Sequence, residues 1–407
     1  MGPLAGLKVL DLTHVMAGPT CTLMLADMGA DVIKIEKKPG GDDTRHMVPP
    51  RLGDEAASFL MMNRNKRGMV VDLKTPGGAK VVRKLAESVD VLVENFAPGA
   101  AERLGLGYDD LRTVNPGLIY CSISGFGRTG PYKHRRGFDL VAQAMSGIMS
   151  FTGSGADGAP VKCGAPLSDI TAGIVAAMGI LAAYTNRLKT GQGQWVETSL
   201  FEAALVQTYW QSAIALATGK APRAMGSAHP LNAPYQAFET ADGWIVVGGA
   251  NATNWVRMLD AIGAPQLAQD ARFKDNAGRM ENLEALVAEL TQRFKTKPAA
   301  HWLAVLEEKG VPCGPVNDML QALNDPQTRA REMVTTVQHA TLGPVETIGL
   351  PVKFSRTPGQ VRTGAPLYGQ HTREVLREYG FKDDEIAGLE RDGAVQAAAA
   401  SAAGKVA

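Results

Sequence analysis

The sequence predicts an α/β protein: a domain built on a mostly parallel sheet, with a smaller α+β domain beside it. Three observations carry this. Strand-like and helix-like runs alternate over the first 125 residues. All five tryptophans lie at Trp195 or later, whereas half of the sixteen methionines fall within the first 69 residues, so the chain carries two differently composed cores. Strand pattern returns at 343–352, after a long, mostly helical stretch.

The elements follow in order. Residues 8–12 read as a strand. Residues 19–28 read as a helix that opens on Pro19 and is ended by Gly29, the positions those residue types favour. The next strand is 32–36, Val32-Ile33-Lys34-Ile35-Glu36. A helix at 79–87 leads into the strand 90–94, two short helical pieces follow at 100–104 and 108–113, and 118–123 is again a strand. Strands spaced by helices make a parallel sheet with right-handed crossovers. A helical region runs from 171 to about 219, interrupted by the turn 190–193 and the strand-like 194–198. Residues 221–234 are rich in Gly, Pro and Ala and read as a linker. The runs 236–240 and 244–248 flank Ala241-Asp242-Gly243, a hairpin signal. Helical runs continue to about Met319, and 372–379 reads as a helix. The expected boundaries are 1–200 for the first part of the large domain, 201–225 for a linker helix and loop, and 226–325 for the small domain. Residues 326–392 return to the large domain, and 393–407 form an Ala-rich tail, either a frayed helix or disordered.

Composition narrows the function. Apolar residues make up 45% of the 407 and charged residues 20%, which excludes a disordered chain. Lys plus Arg is 42 and Asp plus Glu 41, so no basic excess points to nucleic acid as a partner. Cys21, Cys121, Cys163 and Cys313 form no close pair, and the seven histidines show no HxH or HExxH spacing. Neither a structural nor a catalytic metal is expected, and no disulfide framework. Met1-Gly2-Pro3-Leu4 does not begin a secretory signal. The longest strongly apolar helical candidate is 174–183, only ten residues, too short to span a bilayer. The expectation is a soluble cytoplasmic protein with no membrane partner.

In a parallel sheet, ligands bind beyond the carboxyl ends of the strands. That singles out the loops 13–20, 37–45, 95–100 and 124–137. No GxGxxG follows the first strand and no GxxxxGK[ST] occurs, so dinucleotide and P-loop readings lose their support. The stretch Lys37-Lys38-Pro39-Gly40-Gly41-Asp42-Asp43-Thr44-Arg45 combines three basic residues with two glycines. It suits a phosphate-bearing ligand; the alternative is a solvated turn. Asp169 stands at the start of an apolar helix. There it either caps free N–H groups or, kept ionised by the helix dipole, serves as a carboxylate nucleophile. Ser122 and Ser124 do not make a nucleophile elbow, and Cys163 has no basic partner nearby in sequence.

Several motifs carry a resemblance. They are Leu10-Asp11-Leu12-Thr13-His14-Val15-Met16-Ala17-Gly18-Pro19, Ala30-Asp31-Val32-Ile33-Lys34-Ile35-Glu36 and Val93-Glu94-Asn95-Phe96-Ala97-Pro98-Gly99. Ile123-Ser124-Gly125-Phe126-Gly127, Lys189-Thr190-Gly191-Gln192-Gly193-Gln194 and Gly310-Val311-Pro312-Cys313-Gly314-Pro315-Val316 follow in the same order. Together they resemble the class III CoA-transferases, the formyl-CoA transferase-like family, from about Leu4 to Leu389. The resemblance implies a Rossmann-like large domain made from both ends of the chain, a small domain from its middle, and an interlocked homodimer. It implies that Asp169 attacks an acyl-CoA thioester and passes through an anhydride and an aspartyl-CoA thioester. CoA is then a substrate and no cofactor is needed. By the same resemblance Lys37 and Arg103 contact the CoA phosphates, and Asn95, Arg136 and Met16 line the CoA site. Met16 replaces an active-site glutamine of formyl-CoA transferase, which removes an amide and argues against formate or oxalate. Phe138, a substrate-site position, replaces a tyrosine, and Asp139 a glutamate with an active-site role. The stretches 226–230 and 234–238 are more similar to relatives that take dicarboxylates, of the succinyl-CoA:glutarate and acetyl-CoA:oxalate types. In that setting His229 meets a distal carboxylate, or else packs in a linker turn.

Two other functions are open at this point. An α-methylacyl-CoA racemase shares the fold, but that branch has a histidine where this chain has Phe138. A non-catalytic CoA-binding protein would not need Asp169 together with Lys37 and Arg103.

Overall fold

The computed structural model describes residues 2–398. Its strands are β1 (Lys8–Asp11), β2 (Asp31–Glu36), β3 (Arg51–Leu52), β4 (Glu55–Ala56), β5 (Lys66–Val71), β6 (Val91–Glu94) and β7 (Ile119–Ser124). They continue as β8 (Trp195–Ser199), β9 (Tyr235–Glu239), β10 (Trp244–Gly248), β11 (Cys313–Pro315), β12 (Val334–His339), β13 (Gly343–Ile348) and β14 (Val395–Gln396). Seven of them form one sheet in the order β14-β5-β2-β1-β6-β7-β8. From β5 to β8 every neighbour is parallel; β14 closes the edge antiparallel to β5. Strands β2, β5, β6 and β7 are buried along nearly their whole length, as expected of a sheet covered on both faces, whereas the edge strand β8 is exposed at its start. Leu10, Ile33, Val71 and Leu92 share one core with Val81, Val82, Leu85, Val375 and Leu376 from helices.

The topology places the site. The chain leaves β1 for β2 on one side, and β6 pairs with β1 on the other. Strand order therefore reverses at β1, and the loops after β1 and β6 diverge to leave a crevice at their carboxyl ends.

Two sequence expectations change here. Strand β5 is absent from the sequence reading. It opens on Lys66, Arg67 and Gly68, which do not look like a strand interior, yet the Lys66 side chain is fully buried. The expected Ala-rich tail from 393 begins with β14, whose Val395 and Gln396 pair with Val71 and Val70. Thr372 Oγ1 donates to the Gln396 carbonyl at 2.7 Å, so this stretch is a sheet edge; the remainder, 399–407, lies outside the described residues.

The apolar helix also differs. It spans Leu167–Thr190, 24 residues rather than ten, and is long and apolar enough by length and composition to cross a membrane. Leu167 to Gly173 extend the predicted core at one end and the more polar Tyr184 to Thr190 at the other, and Gly191 at φ 73° stops it. Its buried face is mostly small: Ser168, Ala172, Gly173, Ala176, Ala177 and Ala183, with Ile180. Against it lies the helix Ala17–Asp27.

The described chain divides into two compact units. The first comprises residues up to 146, 164–207 and those from 326 onward; the second comprises 147–163 and 208–325. The second is built on the three-stranded sheet β11-β10-β9, with Phe238, Ile245 and Val247 packed on Trp255, Phe294 and Trp302. The sequence reading assigned 147–163 to the large domain. In the structure the Gly226 N–H donates to the Gly153 carbonyl at 2.9 Å, tying that segment into the second unit.

Candidate active site

A cleft of about 420 Å³ opens at the carboxyl ends of β1, β2, β6 and β7. It is lined by all four loops that topology singled out: His14 to Ala17, Lys37 and Asp43, Asn95 to Pro98, and Ser124 to Phe138 in part. Ile123, Asp169 and Leu200 complete it. Among the described residues, no cluster of His, Cys, Asp and Glu is placed to hold a metal ion.

The floor is shaped by buried charge. Asp11 ends β1 and accepts from Thr13, from Thr22 Oγ1 at 2.6 Å and from Lys66 Nζ at 3.1 Å. Burial alone would raise its pKa, but Lys66 and Lys34 outweigh that and hold it at about 2. Lys34, fully buried on β2, reaches Asp42 at 2.8 Å and the Thr13 carbonyl at 2.9 Å. Burial raises Asp42 in the same way, and Lys34 again outweighs it and keeps the carboxyl well below its ordinary value. Lys66 is pulled down to about 8, first by burial. Unpaired, such buried ions would be intolerable; paired and hydrogen-bonded, they fix the loops that hold them.

That network sets the loop after β1. Asp42 Oδ1 accepts the Val15 N–H at 3.2 Å. Asn95 grips His14 through both backbone groups, accepting its N–H at 3.0 Å and donating to its carbonyl at 2.9 Å. Val15 is held at φ 70°, a left-handed conformation that a β-branched residue resists. Strain of this kind persists only where the surroundings impose it, and here two side chains from two loops do so. Burial first, and Lys34 next, lower the His14 pKa.

Asp169 enters from the long helix. Its first turn carries no side-chain cap on itself, so Asp169 is not a capping residue. Instead Asp139, in the first turn of the helix Asp139–Met145, accepts the Ser168 N–H at 2.9 Å. Asp139 also receives Gln143 Nε2 at 2.7 Å. Asp169 is half-buried, and burial first, then the charge of Asp139, raise its pKa to about 7. This corrects the expectation that helix placement keeps it ionised: desolvation and a like charge outweigh the dipole.

Helix contact positions Asp169. A Cβ on Gly173 would stand 2.5 Å from the Ala17 carbonyl oxygen and 2.6 Å from Thr20 Cβ. Only glycine allows the two helices so close, and Gly173 lies one turn beyond Asp169. A similar approach closes the far wall, where Gly125 and Gly137 face each other and a Cβ on either would meet the other's Cα at 2.7 Å.

The expected binding residues distribute as follows. Lys37, Asn95, Arg136, Met16 and Phe138 all line the cleft. Lys37 is half exposed and ion-paired with Asp43, and Phe138 is 75% exposed. Arg103 is exposed at the end of the helix Ala100–Arg103, its guanidinium over Gly99, and is not part of the lining. His229 belongs to the second unit. Its Nδ1 accepts the Leu231 N–H at 3.1 Å, and its ring stands edge-on to Trp210 and Tyr235.

The sequence reading missed His14, Lys133 and Arg135, although they fall within or beside its loops. Arg135 lies 4.7 Å from the Tyr132 ring centre and 5.4 Å from that of Phe126. With Lys37, Lys133 and Arg136 it gives the cleft a basic rim suited to an anionic ligand.

Comparison with known proteins bears on this cleft. The sequence model of CoA-transferase family III matches residues 4–372. The chain is 39% identical to the human succinyl-CoA:glutarate CoA-transferase over 386 residues, 95% of this chain and 88% of that one. It is 42% identical to the acetyl-CoA:oxalate CoA-transferase of Acetobacter aceti over 382 residues, 93% and 96% of the two chains. A crystal structure of a CAIB/BAIF family protein from Brucella suis superposes with a TM-score of 0.83 at 39% identity, covering 93% of this chain and 99% of that one. The chain belongs to CoA-transferase family III, and it is a CoA-transferase enzyme of that class.

Proposed function

We propose that the enzyme moves CoA from an acyl-CoA, succinyl-CoA in this reading, to a small dicarboxylic acid, with Asp169 as the covalent carrier. The observation that carries it is the half-buried carboxylate of Asp169 in a cleft whose rim is basic. Asp169 attacks the thioester carbonyl, forming a mixed anhydride and releasing CoA thiolate. The thiolate attacks the aspartyl carbonyl of that anhydride; the donor acid leaves, and an aspartyl-CoA thioester remains. The acceptor carboxylate attacks this thioester, giving a second anhydride and thiolate again. The thiolate then takes the acceptor's acyl group and frees Asp169. No net proton moves; the two steps in which a carboxylate attacks need it ionised, and the acyl activation stays on the enzyme, out of water.

The dicarboxylate preference rests on the named activities of the relatives above, and the cationic rim suits anionic substrates. Lys37, Asn95, Arg136 and Met16 are read as CoA contacts, and Phe138 as a substrate contact. His229, whose Nδ1 accepts the Leu231 N–H, is read as a donor to a distal carboxylate. A homodimer is part of the same reading. The helix Tyr209–Thr218 is apolar, yet no residue of it is buried within the chain, and Leu216 is 88% exposed.

The test is an exchange panel. Purified enzyme is incubated with succinyl-CoA, acetyl-CoA or formyl-CoA and a set of mono- and dicarboxylates, and new thioesters are read by mass spectrometry. Transfer from succinyl-CoA to dicarboxylates supports the reading. Transfer confined to monocarboxylates contradicts the acceptor class. Light scattering on the same preparation reports a dimer or a monomer.

A further inference from the structure

Gln143 is fully buried, which is unusual for a glutamine and means that its amide has a dedicated partner. It sits one helical turn after Asp139, the spacing at which side chains on one helix face meet. As an isolated pair, Gln143 and Asp139 would be an ordinary helix contact. They are not isolated. The two oxygens of Asp139 are divided: Oδ2 takes Gln143 Nε2 at 2.7 Å, and Oδ1 takes the Ser168 N–H at 2.9 Å. Ser168 directly precedes Asp169. One carboxylate thus joins the helix Asp139–Met145 to the first turn of the long helix, and Gln143 anchors it from behind.

We propose that Gln143 is a positioning residue of the transfer site: it fixes the Asp139 carboxylate so that one oxygen holds the Ser168 N–H while its charge faces Asp169. The inference rests on the reading of Asp169 as nucleophile. It adds that the protonation of Asp169 is tuned from the helix Asp139–Met145. Such tuning matters because a carboxylate held close to neutral pH is less solvated, and more reactive once ionised, than one locked at low pKa. The charged groups that share the cleft are His14, Lys37 and Asp43 from the loops after β1 and β2, and Lys133, Arg135 and Arg136 from the loop after β7. None of these is altered by changes at Gln143. Burial is the larger cause of the raised Asp169 pKa and the Asp139 charge the second. Releasing Asp139 should therefore lower the midpoint only in part.

The test follows the titration of Asp169 itself, without turnover, so that it stands apart from the exchange assay. The protein is labelled with carboxyl-13C aspartate, and the Asp169 resonance is identified as the one lost in Asp169→Asn. Its midpoint is measured in the unaltered protein, in Gln143→Met, in Asp139→Asn and in the double variant. Gln143→Leu replaces Gln143→Met if the latter does not keep the circular dichroism of the parent. The expected midpoint lies near 7 and falls by half a pH unit or more in either single variant. The double variant matches Asp139→Asn alone, because Gln143 acts only through Asp139. A midpoint unmoved in a folded Gln143 variant, or shifts that simply add, overturns the proposal. If Asp169→Asn retains full exchange, the nucleophile reading fails instead, and the titration data show separately whether Gln143 still controls that carboxyl.

Discussion

Gly173 brings the long helix against the Ala17 carbonyl so closely that a methyl group there would lie 2.5 Å from the oxygen. The contact sits one turn from Asp169, so it sets how deep that carboxylate reaches into the cleft. Gly173→Ala should force the helices apart by several tenths of an ångström. Misplacing a reacting group by about 1 Å costs on the order of 100-fold in rate. We expect a tenfold to hundredfold loss in kcat with Asp169 intact, and destabilisation of roughly 1–3 kcal/mol from overpacking. Steady-state kinetics and urea unfolding on the same variant check both; unchanged kcat would mean that the helix contact does not position the carboxylate.

Asp169 gives the reaction an acid limb. With its pKa raised to about 7, kcat/KM for acyl-CoA should fall tenfold per pH unit below neutrality and level off above it. A rate independent of pH between 5.5 and 8 would contradict this.

The same shift makes a stability prediction. The folded protein holds the Asp169 proton to about pH 7, whereas an unfolded chain releases it near 3.8. Stability from this group is therefore complete below pH 4 and is lost as pH rises through 7. Asp169→Asn should be more stable than the parent at pH 8, by about 2 kcal/mol after allowing for partial exposure, and no more stable at pH 4. Thermal melts at the two pH values give the comparison.

Lys34 joins Asp42 to the loop after β1, and its charge also holds Asp11 down. Lys34→Met keeps the length but leaves the buried Asp42 carboxylate without its ion-pair partner and weakens the hold on Asp11, which should cost roughly 3–5 kcal/mol at pH 7. Both carboxyls are depressed in the parent, so their contribution is present above pH 4 and lost only as pH falls toward 2. In the variant they take up protons earlier, so the deficit should shrink at pH 4. Urea denaturation at pH 7 and pH 4 tests this, and equal deficits would show that the ion pairs are not the cause.

Asn95 holds both backbone groups of His14. Asn95→Leu leaves them without those partners at a cost of about 1–3 kcal/mol each when buried. Because the freed loop lines the cleft and Val15 is strained within it, KM for acyl-CoA should rise about tenfold while kcat changes less. The reverse pattern, a fall in kcat at constant KM, would place Asn95 in the chemistry rather than in the binding loop.

Much of this was legible in the chain. Apolar runs such as Val91-Leu92-Val93 announce buried parallel strands, and the rule that ligands sit beyond strand carboxyl ends led to all four cleft loops. What local pattern could not show were pairings across long separations. Lys66 looks like the wrong residue to open a strand until Asp11, 55 positions earlier, is seen to neutralise it. Gln143 and Ser168 are unremarkable in sequence because their meaning depends on Asp139 bridging two helices. The raised pKa of Asp169 was invisible for the same reason: dipole and capping arguments are local, and desolvation is not.

The most direct measurement is to identify the covalent carrier. Enzyme is incubated with succinyl-CoA without acceptor, quenched in acid, digested and read by mass spectrometry, alongside Asp169→Asn. A CoA thioester is expected on the peptide that holds Asp169, lost on adding an acceptor acid and absent from the variant, which remains folded and inactive. Rapid exchange with no adduct at Asp169, or near-normal exchange by Asp169→Asn, would contradict it.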